Sequence, residues 1–187
     1  MTSTAAQVVR GIEHVGITVP DVEEAARFLI EAFGAEVLYD MPAPERAAGD
    51  PYPDEQSRLG IRPGARWITT KVLRLGDGPG IELFEYADDE QRPAATPADL
   101  GVQHFSVYVD DIDAARQLVI DAGGHALEGP LLLPGVESGE GNQWMYVVAP
   151  WGGIIELLTL PSPQRFEVET ALRKWRPEQR DREGVQR

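Results

Sequence analysis

GIEHVGITVPDVEEAARFLIEAFG, residues 11–34, is the stretch that decides the fold, because residues 101–124 repeat it without a gap as GVQHFSVYVDDIDAARQLVIDAGG. Each copy begins with alternating residues that end in Val. An Asp able to cap a helix follows, then apolar residues at helical spacing, and then a Gly. This order predicts a strand followed by a helix in each copy. The sequence therefore predicts two related halves.

Both halves continue with further strands, so we interpret each as a βαβββ module of an α+β fold. In the first half the patterns predict strands at 12–19, 36–39, 67–75 and 81–86 and a helix at 22–33. In the second half they predict strands at 102–109, 143–148 and 154–160 and a helix at 112–122.

The predicted organisation is a chain of two modules with tails at both ends. It comprises an N-terminal tail 1–10, a first module 11–90, a linker 91–100, a second module 101–160 and a charged C-terminal tail 161–187 with a short helix at 166–175. The first module contains a long Pro- and Gly-rich loop at 41–64. Loops of this length are often functional lids, and a disordered insertion is the alternative.

The bulk composition excludes several classes of function. The chain has 187 residues, 42% of them hydrophobic, which is enough to bury a core. A net charge of −14 argues against binding to nucleic acid or to an anionic membrane, since both need clustered Lys and Arg. The absence of cysteine excludes thiolate chemistry and fits a reducing compartment. With no apparent signal peptide or membrane span, we expect a cytoplasmic protein.

Four residues recur as two equivalent pairs. His14 and His104 occupy the same position of the repeat, and Glu82 and Glu156 lie in GIEL and IIEL, the last strand of each half. A carboxylate in an apolar strand is costly unless it is exposed, paired or bound to a cation. Two imidazoles and two carboxylates suit zinc, nickel, cobalt, manganese or iron as a divalent ion. We predict that these four residues are metal ligands.

Two other residues compete for this assignment. Glu85 lies on the same predicted strand as Glu82, but alternation points it to the opposite face, and Thr159 takes its place in the second half. His125 follows the second helix and is equivalent to Ala35, so we interpret it as a surface residue.

Four segments together resemble the vicinal oxygen chelate superfamily, which includes glyoxalase I, methylmalonyl-CoA epimerase, extradiol dioxygenases and the fosfomycin and bleomycin resistance proteins. They are IEHVGITVPDVEEA, GIELFEY, GVQHFSVYVDDIDAA and MYVVAPWGGIIELL, within residues 11–160. The resemblance implies curved mixed sheets that surround an open cavity with the metal at its base. Resembling proteins are often homodimers, and the site is completed either within one chain or across two.

The ligand set implied by the resemblance favours one type of reaction. By this resemblance, extradiol dioxygenases have a site of two His and one Glu. In this chain Glu82 adds a fourth ligand, as in glyoxalase-like isomerases. The resemblance thus implies an isomerase, epimerase or lyase that acts on a small oxygenated substrate through a metal-stabilised enediolate. Glu156 or Glu82 is then the catalytic base.

The match to individual branches is incomplete. Methylmalonyl-CoA epimerases resemble this chain but differ at two positions. They have Gln at the position of Glu82 and a further Glu near the position of Trp67, and this chain has no carboxylate near Trp67. The long loop and tail also differ from compact glyoxalase I. As candidate substrate contacts we name Trp67, Lys71, Gln143 and Trp144, with rim or core positions as the alternative. An Fe(II) extradiol-type dioxygenase and a non-catalytic, bleomycin-type binding protein remain as alternative functions.

Overall fold

The computed structural model describes residues 8–43 and 58–177, which divide into two compact units. The first unit contains the described residues up to Ala26 and Ala35–Gln91, and the second contains Arg27–Gly34 and those from Arg92 onward. Most of the predicted loop 41–64 and parts of both tails lie outside the described residues. None of the helices in the described part has the length and hydropathy needed to cross a bilayer.

The first unit is built on a four-stranded sheet with the order β1-β4-β3-β2. Strand β1 is parallel to β4, and the other two pairings are antiparallel. This arrangement confirms the predicted βαβββ order. In chain order the elements are β1 (His14–Thr18), α1 (Val22–Phe33), β2 (Glu36–Pro42), β3 (Arg66–Arg74) and β4 (Gly80–Ala87), and α1 from Arg27 onward is assigned to the second unit.

The second unit repeats this sheet with the order β5-β9-β8-β6, and a further short strand β7 also pairs with β8. Again the first strand is parallel to the last, here β5 to β9. The elements are β5 (His104–Tyr108), α2 (Ile112–Asp121), β6 (His125–Ala126), β7 (Leu131–Leu132), β8 (Gln143–Val148) and β9 (Ile154–Thr159). The stretch between α2 and β8, in which we predict no strand from the sequence, thus contains two edge strands.

In each unit the central strands bury an apolar face. Leu73 on β3 and Leu83 on β4 are fully buried in the first unit. The second unit buries Met145, Val147, Ile155 and Leu157 from its sheet and Val119 from α2. Full burial of one such side chain contributes roughly 1.5–3 kcal/mol, so these faces fix the strand register. The Glu82 and Glu156 side chains project from the other face of their strands.

The predicted helix starts are confirmed by side-chain caps. Asp21 accepts from the Glu24 amide, and Asp111 accepts from the Ala114 amide, both at 2.9 Å. These bonds satisfy amides that have no partner within the helix. The equivalent glycines differ, however. Gly34 has a φ of 68°, whereas at Gly124 an added Cβ would lie 2.8 Å from the Val119 side chain.

The C-terminal helix predicted at 166–175 is absent. A single 3-10 turn, Arg165–Val168, is present, and the residues from 172 to 177 have no regular structure. The ion pairs of this segment do not follow the i,i+3 or i,i+4 spacing of a helix, and one of them reaches Glu137 outside the segment. Arg173 and Arg176 both pair with Glu167, and Lys174 pairs with Glu137.

Candidate metal and substrate site

The first His–Glu pair is formed by adjacent strands of the first unit. Glu82 is in register with Gly16, two residues after His14 on β1, so both side chains project from the same face. His14 Nε2 lies 3.1 Å from Glu82 Oε2. The Glu82 side chain is 17% exposed and that of His14 is 45% exposed. The pair is therefore sheltered on its carboxylate side and open on its imidazole side.

The second pair has the same construction. Glu156 is in register with Ser106, two residues after His104. His104 Nε2 lies 3.9 Å from Glu156 Oε2, beyond hydrogen-bonding distance, and both side chains are mostly buried. The repeat therefore places each predicted His beside its predicted Glu.

Glu13 contacts the first His–Glu pair, and the sequence reasoning missed it. Its carboxylate accepts a hydrogen bond from Nδ1 of His14. This bond raises the pKa of His14 above its usual value, burial opposes the rise, and Glu82 adds to it. A carboxylate on one ring nitrogen turns the other nitrogen toward a ligand, as in many metal sites. Position 103, equivalent to Glu13, holds Gln103, whose Oε1 is buried without a partner, as is Nδ1 of His104.

The donor geometry within each pair fits a divalent metal ion. Two ligands bound at about 2.0–2.2 Å lie roughly 3–3.5 Å from one another. The 3.1 Å separation of His14 and Glu82 meets this condition, and the 3.9 Å separation of His104 and Glu156 needs only a small adjustment. Within residues 8–43 and 58–177, no three or more potential His, Cys, Asp or Glu ligands cluster together. Each pair thus brings two potential donors together.

Aromatic rings surround the second pair. Tyr146 on β8 is in register with Glu156, and its ring lies 5.2 Å from that of His104. Burial raises the pKa of Tyr146, and the neighbouring Glu156 raises it further. Trp144 lies 5.2 Å from Tyr146, edge to face. The sequence reasoning missed Tyr146, although alternation in QWMYVV already puts it on the face of Trp144.

The four candidate substrate contacts divide between the two faces of their sheets. Trp67 is in register with Tyr86, which is on the same face of the sheet as Glu82. The Trp67 indole donates to the Thr70 hydroxyl at 2.9 Å. Trp144 is on the face of Glu156. Trp67 and Trp144 are therefore on the faces that carry the His–Glu pairs.

Lys71 and Gln143 project from the opposite faces. Lys71 is in register with Leu83 and only 6% exposed, and its ammonium lies 2.5 Å from Asp40 and 3.1 Å from Glu23. The hydrogen bond to Asp40 is the main cause of a raised Lys71 pKa. Gln143 precedes Trp144 and so projects from the other face of β8. The contacts of Lys71 are those of an internal ion-pair network.

The competitors of the predicted ligands have other roles. Glu85 accepts a hydrogen bond from the Val22 amide at 3.2 Å, at the first residue of α1. Its side chain is thus on the helix side of the sheet, as alternation predicts, away from His14 and Glu82. His125 is exposed, on the short edge strand β6. The described contacts of these two residues leave the two repeated pairs as the metal-ligand candidates.

Sequence comparisons identify relatives of the whole fold. The profile of a glyoxalase, bleomycin resistance protein and dioxygenase superfamily matches residues 13–133. A 2-epi-5-epi-valiolone epimerase from an Actinomyces species is 34% identical over 181 residues, which cover 89% of this chain and 88% of that protein.

Structural comparisons support the same architecture. A glyoxalase family protein from Enterococcus faecalis superimposes with a TM-score of 0.56 at 20% identity, covering 80% of this chain and 97% of that one. Glyoxalase I from Zea mays superimposes with a TM-score of 0.53 at 20% identity, covering 79% of this chain and 43% of that one. At this identity the two superpositions establish the fold alone.

Proposed function

Because the chain belongs to the glyoxalase, bleomycin resistance protein and dioxygenase superfamily, we propose that it is a metal-dependent epimerase of a small hydroxylated ketone. The observation that carries this proposal is the repeated His–Glu pair, present at equivalent register in both sheets. The 34% identity to a 2-epi-5-epi-valiolone epimerase supports the choice of epimerisation over oxygenation. The substrate class proposed is a ketone with a hydroxyl-bearing carbon beside the carbonyl.

His14, Glu82, His104 and Glu156 are the proposed ligands of one divalent ion. Zinc, nickel, cobalt, manganese and iron all accept two imidazoles and two carboxylates, which also neutralise the charge of the ion. When bound, the ion supplies Lewis acidity that stabilises negative charge developing on the carbonyl oxygen of the substrate. Glu13 holds the His14 ring in the orientation that presents Nε2.

Glu156 is the proposed base. Its carboxylate lies beyond hydrogen-bonding distance of His104, while Glu82 lies 3.1 Å from His14 and is the better fixed of the two. In the proposed reaction Glu156 accepts the proton from the carbon beside the carbonyl, and the C–H electron pair moves into the new C–C double bond. The carbonyl π pair moves onto oxygen. Water then returns a proton to the other side of that carbon as the oxygen electron pair re-forms the carbonyl, and Glu156 releases its proton to solvent. The carbon is inverted, and no oxidant or reductant is consumed.

Trp67, Trp144 and Tyr146 are the proposed contacts to the substrate. All three project from the faces that carry the His–Glu pairs. Aromatic rings pack against the C–H faces of cyclic molecules, and Tyr and Trp add a polar group. Lys71 and Gln143 are left out of this set because they project from the opposite faces.

We also propose that the chain forms a homodimer. All seven residues of the edge strand β2 are exposed, and Val37, Leu38, Tyr39 and Met41 are among them. Exposed apolar edge strands tend to be covered by a partner. Light scattering at micromolar concentration tests this, with a mass of one chain as the contradicting result.

The reaction is tested with 2-epi-5-epi-valiolone in D2O, using protein reconstituted separately with each of the five metals. We expect product that carries one deuterium at the inverted carbon, because the proton removed by a carboxylate exchanges with solvent. Glu156→Gln is expected to lower kcat by at least about 100-fold. Glu85→Gln is the matched control, since Glu85 is on the other face of its sheet. Oxygen consumption with catechol and no epimerisation would instead indicate the dioxygenase.

A further inference from the structure

The C-terminal segment 161–177, which follows β9, is fastened to the second unit at its near end. Asn142 is fully buried and accepts from the Ser162 amide at 3.1 Å, and the Ser162 hydroxyl donates to the Glu140 carbonyl at 2.6 Å. Gln164, also buried, and Glu167 cap the 3-10 turn reciprocally. Such local bonds fix the direction in which the chain leaves the sheet.

The far end of the segment is ordered by ion pairs, one of which reaches outside the segment. Glu167 has a side chain only 14% exposed and receives Arg173 at 3.4 Å and Arg176 at 2.5 Å. Lys174 pairs with Glu137 and lies 5.8 Å from the centre of the Phe166 ring. Of the two neighbours of Trp175 in the chain, Lys174 is therefore tied to Glu137 outside the segment, and Arg176 to Glu167 within it. Contacts of its chain neighbours, rather than contacts of its own side chain, therefore position Trp175.

Trp175 itself contacts the sheet at Tyr108. The two rings are 5.9 Å apart, and the Tyr108 hydroxyl donates to the Trp175 carbonyl oxygen at 2.9 Å. Trp175 nevertheless stays 53% exposed. A large aromatic side chain that is held in place and still exposed is the kind of residue that ligands pack against.

Tyr108 belongs to the face that carries the second His–Glu pair. Across the sheet, Tyr108, Leu158 and Trp144 form one row in register. The next row consists of Ser106, Glu156 and Tyr146. Rows two residues apart along a strand are about 7 Å apart, roughly the width of a six-membered ring with its substituents. The row that Trp175 contacts at Tyr108 is therefore adjacent to the row of Glu156.

We propose that Trp175 and Tyr108 form a wall of the substrate site and determine its preference for cyclic ketones. This inference rests on the proposed function, because it assumes that the substrate reacts at Glu156. A ring whose reacting carbon is at Glu156 extends over the neighbouring row, where the Tyr108 and indole rings cover its C–H face. An acyclic ketone of three carbons is too short to make this contact.

The preference is measured with two probes, 2-epi-5-epi-valiolone and dihydroxyacetone. Cyclic-ketone turnover is followed as epimerisation, and dihydroxyacetone turnover as deuterium exchange at its carbons in D2O. Trp175→Ala is expected to raise KM for the cyclic ketone roughly tenfold, leaving kcat within about threefold, and to change dihydroxyacetone exchange less than twofold. Trp175→Phe is expected to restore most of the affinity. Tyr108→Phe, which removes only the hydroxyl bond to the carbonyl, is expected to have an intermediate effect.

Binding is measured independently of turnover by titrating the cyclic ketone and following indole fluorescence. We expect a change in wild type that is mostly lost in Trp175→Phe, while metal content is the same in both. If epimerisation is intact but Trp175→Ala has the same KM as wild type for each of the two probes, the proposed wall is wrong and the proposed function still holds. Binding without epimerisation, with the fluorescence change lost in Trp175→Phe, would overturn the proposed function and support the wall. A wild type that neither binds nor converts the ketone would overturn both.

Discussion

Glu82 and Glu85 are three residues apart on β4 and project from opposite faces of the sheet. The Glu82 carboxylate lies 3.1 Å from the His14 imidazole, while the Glu85 carboxylate accepts the Val22 amide at 3.2 Å. Glu82 is thus part of a donor pair, whereas Glu85 satisfies an amide at the positive end of a helix. One strand therefore separates a candidate ligand from a stabilising carboxylate by alternation alone.

We expect substitutions at these two residues to have opposite signatures. Glu82→Gln should lower metal content with little change in stability, because the amide keeps the shape but binds metal weakly. Glu85→Gln should leave metal content unchanged and lower the free energy of unfolding by about 0.5–1.5 kcal/mol. Metal analysis and urea unfolding of both variants measure this. Equal metal loss in both variants would contradict the separation of faces.

The ion pairs of Lys71 with Asp40 and Glu23 predict that removing the cation changes stability less than removing its two carboxylate partners. Lys71→Met should change stability by less than about 1 kcal/mol, because Asp40 and Glu23 are exposed and can be hydrated. The double variant Glu23→Gln, Asp40→Asn leaves a buried ammonium without a counter-charge and should cost about 2 kcal/mol. Urea unfolding at neutral pH compares them.

The same network gives a pH dependence. The pKa of folded Lys71 is raised above the usual 10.5, so the folded state holds its proton more tightly than the unfolded state. The resulting stabilisation is fully present below the unfolded pKa and is lost as pH rises through the folded pKa. We therefore expect wild type to lose stability relative to Lys71→Met as pH is raised above about 10.5. A gap that stays constant over this range would contradict the assignment.

Trp144 and Gln143 provide a test of the proposed substrate contacts. Trp144→Ala should raise KM for the ketone about tenfold, because the ring beside Tyr146 is lost from the face of Glu156. Gln143→Ala should change KM less than twofold, since that side chain projects from the other face. Steady-state kinetics of both variants, with their metal content, measure the difference. Similar KM increases in both would place the substrate elsewhere.

Gly34 and Gly124, equivalent in sequence, should differ in their response to alanine. Gly34 has a φ of 68° and open space for a Cβ, so Gly34→Ala should cost about 1 kcal/mol from backbone strain. At Gly124 a Cβ would lie 2.8 Å from the Val119 side chain and 2.9 Å from the Val148 carbonyl oxygen. Gly124→Ala should cost about 1–3 kcal/mol through overpacking, measured by urea unfolding.

The fold was predictable because its signals are local and occur twice. Alternation, a capping Asp and a closing Gly specify a strand and a helix at residues 11–34 and again at 101–124. The His–Glu pairs followed from the same repeat. The path of the C-terminal segment did not, because the ion pair of Lys174 with Glu137 and the hydrogen bond of Tyr108 to Trp175 join residues far apart in sequence.

The faces of the candidate substrate contacts were harder to predict. Trp67 and Lys71 are four residues apart, which in a regular strand puts both on one face. A β-bulge between Trp67 and Thr69 shifts the register by one residue, so Lys71 faces the helix side instead. For Gln143 and Trp144 simple alternation was sufficient to show that adjacent residues cannot share a face.

The central claim is that the two His–Glu pairs hold a catalytic divalent ion, and elemental analysis tests it most directly. The samples are protein purified without an affinity tag or added metal, the variants His14→Ala and His104→Ala, and Glu85→Gln as the control. We predict about one transition-metal ion per chain in wild type and in the control, and substantial loss in both histidine variants. Full metal content in both histidine variants, or wild type that binds none of the five metals on reconstitution, would contradict the claim.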